Sequence, residues 1–106
     1  MPITGDTALF TRSVNIPVVI NSIKEQAITV TTAATALPAV ALTDRKNLSL
    51  YNNGASDIFI GSSTVTASGG FPVPRRTSLS LDVNNNVIVY AITSAGTADV
   101  RILEVS

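Results

Sequence analysis

Residues 46–52 (KNLSLYN) place Leu48 and Leu50 on one face and Asn47, Ser49 and Tyr51 on the other. That period of two predicts a half-buried β-strand. The alternation recurs in residues 57–61 (DIFIG), with Ile58 and Ile60 inward and Phe59 outward, and in residues 77–83 (TSLSLDV), with Leu79, Leu81 and Val83 inward. It returns in residues 99–105 (DVRILEV), where Val100 and Ile102 face away from Arg101 and Leu103. Residues 26–32 (QAITVTT) add a strand with Ile28 and Val30 on one side. Residues 86–92 (NVIVYAI) are apolar on both faces, the pattern of a central strand covered above and below.

The segments between are equally patterned. Asn53-Gly54 tolerates the positive φ of a tight turn, so a hairpin is predicted to join 46–52 to 57–61, with Tyr51 and Phe59 on its shared outer face. In residues 33–42 (AATALPAVAL), Pro38 sits mid-run and argues for an irregular edge strand or a crossing segment over a helix. Residues 62–76 carry Gly69, Gly70, Pro72 and Pro74, which exclude a central strand; Phe71 is expected to pin this loop by burying its ring at the sheet's end. Residues 14–23 (VNIPVVINSI) are β-prone, but Pro17 restricts them to an edge or to pairing on one side. The whole predicts an all-β chain: a small antiparallel β-sandwich or barrel over residues 24–106, with an extended N-terminal arm or edge segment over 1–23.

At 106 residues the chain is one domain, with one core hiding roughly 65% of the unfolded surface. Charged residues are 13% of the chain, about half the usual share. A surface so poor in charge is either coated with Ser and Thr or partly hidden by other subunits. The formal net charge of zero argues against nucleic acid as a partner and against a membrane surface. No run approaches the ~20 apolar residues of a membrane span, and the first residues lack the basic start and apolar core of a signal peptide. There is no Cys, so no disulfide, and no His, which removes the commonest general base and metal ligand together.

Chemistry finds little purchase. Asp6, Glu25, Asp44, Asp57, Asp82, Asp99 and Glu104 are scattered one per element, as turn caps or solvated carboxylates. Ser62-Ser63 and Ser68-Gly69-Gly70 match neither a nucleophile elbow nor a phosphate loop. No catalytic, metal or cofactor-binding residue is expected, and the chain reads as a non-enzyme. Binding is the better prospect. Arg75-Arg76, at a loop end, suit a bidentate anion clamp or bonds to local carbonyls. Arg45-Lys46 is a weaker candidate, with Asp44 beside it to neutralise it. Tyr51, Phe59 and Phe71 suit a sugar-stacking platform, a subunit contact or a second core, the last favoured because sandwich strands often look apolar on both sides. The arm offers Ile3, Leu9, Phe10, Val14, Ile16, Val18 and Ile20.

From Ile28 to Glu104 the order of segments, TTAATALPAVALTDRKNLSLYNNGASDIFIG, TVTASGGFPV, TSLSLDV and VYAITSAGTADVRILE, resembles a family of small tailed-bacteriophage virion proteins. The likeness covers about three-quarters of the chain; before Thr77 this chain reads VPRR where a more Gly/Ser-like turn is expected. The resemblance implies a non-enzymatic capsid decoration, or cement, protein made in the host cytoplasm. It implies a trimer on the virion surface, bound to the major capsid protein at capsomer junctions by an arm that adds to a sheet edge. Related modules serve as receptor- or glycan-binding parts of head fibres and tail tips, or as neck and tail connectors, and these are the alternatives.

Overall fold

The computed structural model describes residues 19–106. Among the described residues eight strands make two four-stranded antiparallel sheets: β1 (Ile23–Val30), β2 (Thr35–Ala36), β3 (Asn47–Asn52), β4 (Ile58–Gly61), β5 (Phe71–Val73), β6 (Ser78–Leu81), β7 (Tyr90–Thr93) and β8 (Ala98–Val105). The first sheet runs β1-β8-β3-β6 and the second β2-β7-β4-β5. This is a sandwich and not a barrel: each sheet keeps its own two edges. The predicted domain began at residue 24; β1 starts one residue earlier, and its ladder with β8 runs on through Ser22, whose amide and carbonyl both bond Ser106.

The alternation specified much of the core; Leu37 and Val73 join it from segments read as irregular, and Leu79, Leu81 and Val83 are only partly buried. Leu48, Leu50, Val100 and Ile102 of the first sheet face Ile58, Ile60, Val73 and Ala91 of the second, all buried, and Val30, Leu37, Val89 and Ala98 close the ends. β7 and β8 lie inside their sheets. The central strand expected over 86–92 is confined to Tyr90–Thr93, fully buried on one face only, because a two-layer sandwich covers each sheet on one side. The run around Pro38 contributes only the two-residue edge strand β2, and Pro38 itself lies two residues beyond it.

The Asn-Gly turn does not make a hairpin. β3 belongs to the first sheet and β4 to the second, so residues 53–57 carry the chain across the sandwich. Positive φ is not what this turn uses either; among the described residues it occurs at Asp44, Arg76 and Gly96. Gly54 is needed for closeness, since a Cβ there would lie 2.7 Å from the Ala98 backbone. Asn52 organises the crossing. Fully buried, its side-chain amide donates to the Ser56 carbonyl at 2.9 Å and the Val73 carbonyl at 3.0 Å, and its oxygen accepts from the Gly54 amide at 3.1 Å. Alternation within each strand is the same whether the next strand lies beside it or opposite it, so the turn looked like a hairpin in sequence.

A second departure is a buried ion pair. Arg45, 2% exposed, donates from Nη1 to Glu104 Oε2 at 2.9 Å, and both side chains are fully enclosed. The rest of its guanidinium donates to the Val83, Asn84 and Val87 carbonyls, and Glu104 Oε2 also accepts from the Leu42 amide. Glu104 is therefore neither a turn cap nor a solvated carboxylate, and Arg45 is not neutralised by Asp44. Between them they tie the 83–87 connection and the 42–45 turn to the end of β8.

Candidate functional site

The edges β5 and β6 leave the loop 74–77 together and then separate. Near the loop they are joined through Asn52, whose amide donates to the Thr77 carbonyl and whose carbonyl accepts from the Arg76 amide. Away from it they enclose an open cleft of about 350 Å³ lined by Ile60, Gly61, Phe71, Leu79, Leu81 and Val89. None of these side chains is polar.

Phe71 stands at the mouth of this cleft. It pairs with Ile60 across the ladder, which puts its ring on the inner face of the second sheet with Ile60 and Val73. Yet it is 61% exposed. The expectation that Phe71 pins its loop by burial is thus corrected: β5 is an edge strand, and the facing Leu79 and Leu81 stand back across the cleft instead of closing on the ring. The composition excluded a central strand, and Pro72 at an edge agrees with that.

The three aromatics do not share a surface. Tyr51, on the outer face of the first sheet, pairs with Arg101 and is 37% exposed. Phe59 lies on the outer face of the second sheet, half-buried beneath the 62–70 loop, whose Val65 packs so close that a Cβ on Gly61 or Gly70 would meet it within 3 Å. The shared outer face predicted for Tyr51 and Phe59 is therefore wrong, because their strands are in different sheets. Phe59 lies half-buried against the 62–70 loop, Tyr51 on a polar sheet face, and Phe71 at the cleft.

Arg75 and Arg76 turn toward the crossing loop. Arg75 Nη1 donates to the Ala55 carbonyl at 3.1 Å, and the Arg75 amide is capped by Asp57 Oδ1 at 3.1 Å. Arg76, with a φ of 65°, donates from Nη1 to Asn53 Oδ1 at 3.3 Å. Both guanidinium groups remain at the surface and bond local turn atoms. Among the arm residues, Ile20 is described and 49% exposed; Ile3, Leu9, Phe10, Val14, Ile16 and Val18 lie outside the described residues.

No group of three carboxylates converges among the described residues. Asp99 and Arg101 form a surface pair at 3.0 Å, and the Arg101 hydrogen bond, helped by one from Asn53, holds the Asp99 carboxyl below its ordinary range. Because the folded value is depressed, this contribution to stability is present above the unfolded value and is lost as pH falls through the folded one. An NMR titration should find the Asp99 carboxyl low in the folded protein, and Arg101→Ala should move it upward; an unmoved midpoint would remove the pairing as its cause.

Compared with known protein families and with curated proteins, the chain matches none.

Proposed function

We propose that this protein is a non-enzymatic phage virion component, a capsid decoration protein that stabilises the shell at capsomer junctions through its N-terminal arm. The observation that carries the reading is how the chain enters the sandwich. Val19, Ile20 and Ile23 are 64%, 49% and 62% exposed, and they continue the apolar series Ile3, Leu9, Phe10, Val14, Ile16 and Val18. An apolar segment held in solvent at a sheet edge is suited to complete itself on a partner, by main-chain pairing and side-chain burial. The low charge content supports a surface shared with neighbours. The separation of Tyr51, Phe59 and Phe71 over three surfaces removes the stacking platform that a glycan-binding reading needs.

Removing residues 1–20 should leave a folded domain, checked by circular dichroism, that no longer binds heads stripped of the protein. Full occupancy by the truncated chain would show that attachment lies elsewhere.

A further inference from the structure

The cleft between β5 and β6 is an incomplete piece of core. Leu79, Leu81 and Phe71 are on the inner faces of their sheets by register, and the sandwich leaves them partly in water. A small ligand would find no polar side chain there to orient it. An extended strand supplies what is missing: alternate apolar side chains for the cleft and main-chain groups for an open edge. β6 is the edge suited to receive it, being terminal in its sheet among the described residues and free of proline, whereas β5 is blunted by Pro72.

This chain carries a segment with that pattern. In residues 13–18 (SVNIPV), Val14, Ile16 and Val18 fall at alternate positions, all β-branched, with Ser13, Asn15 and Pro17 on the other side. Pro17 is tolerated in a strand paired on one side only, which is what a strand added to β6 becomes. We propose that residues 13–18 of one copy fill the β5–β6 cleft of a neighbouring copy, so that the protein assembles by exchanging arms.

The donor is a second copy because of where the described chain begins. The β1–β8 ladder continues through Ser22, so residues 19–22 leave the domain along the strand axis. To fill its own cleft the chain would have to turn back within Val18-Val19-Ile20, three β-branched residues without a glycine, and then cross from β1 to β6. That crossing is three strand spacings, about 14 Å. Donation to a neighbour needs neither step, and a head-to-tail contact of this kind builds a ring where its rotation closes and a filament where it does not. Residues 1–12, with Ile3, Leu9 and Phe10, are left for the shell, so the inference refines the arm reading without depending on it.

The chain has no Cys, which makes disulfide trapping clean. Full-length Ile16→Cys and Leu81→Cys proteins, mixed and oxidised without heads, should give a two-chain product of about 22 kDa, twice the 11.0 kDa chain. Asn15→Cys, on the opposite side of the donor strand, should give several-fold less. Light scattering should show an oligomer for the unmodified protein and a folded single chain for Ile16→Asp. The inference is overturned by a monomeric unmodified protein, by cross-linking no better than the Asn15→Cys control, or by a double Cys variant that closes only within one chain. Phe10→Asp separates this contact from the shell reading: it should keep the cross-link and lose head binding, and retained head binding would count against the shell reading alone.

Discussion

Arg45→Met should destabilise the domain by about 3–5 kcal/mol, read as a lowered urea midpoint, because it strands a buried carboxylate. Glu104 Oε1 already has no hydrogen-bond partner in its enclosed site, so the carboxylate relies on Arg45 and the Leu42 amide at its other oxygen. Thermal melting should fall by at least about 12 °C, at roughly 4 °C or more per kcal/mol for a domain of this size. Glu104→Leu should be similarly damaging, since it leaves the guanidinium unpaired. The double variant Arg45→Met/Glu104→Leu should recover only part of the loss. Apolar replacement of both charges removes the stranded ion, but the Val83, Asn84 and Val87 carbonyls still lose the donor that Arg45 supplied. A double variant no better than either single would show that the pair itself contributes little beyond those carbonyl bonds.

The second large effect is expected at Asn52. Asn52→Leu keeps the residue's approximate size and replaces a side chain that has no exposed surface. It leaves the Ser56 and Val73 carbonyls and the Gly54 amide without their partner. An unpaired buried polar group costs about 1–3 kcal/mol, so the loss should reach roughly 3 kcal/mol or more. Hydrogen exchange gives a sharper reading than stability alone. Amides of residues 53–57 and 73–77 should lose protection together, because one side chain holds the sheet crossing against the β5–β6 loop. Loss confined to residues 53–57 would mean that the bond to Val73 is dispensable.

Both positions show what sequence patterning reaches and where it stops. Asn52 reads as a turn residue, and Arg45 as a surface charge beside Asp44. Neither local context hints at burial, because a decisive partner of each, Val73 for Asn52 and Glu104 for Arg45, lies 21 and 59 residues away in the chain. The same limit governs Phe71. Its size predicts burial, and its register does point it inward, but whether an inward position is covered depends on how closely the opposite sheet approaches. That approach is fixed by β6, five residues beyond the end of β5.

The amino-acid sequence by itself determined that this chain is all-β and which residues form the centre of its core. Leu48, Leu50, Ile58, Ile60, Val100 and Ile102 were legible because side chains alternate across a strand whatever it pairs with. It also marked residues 14–23 as a β-prone segment that Pro17 restricts to an edge or an arm. Only the tertiary structure decided that β3 and β4 lie in opposite sheets, that Arg45 and Glu104 meet in the interior, and that β5 and β6 part to leave a cleft. Those are outcomes of long-range pairing and packing, set by contacts between segments whose own periodicity would be unchanged in a different arrangement.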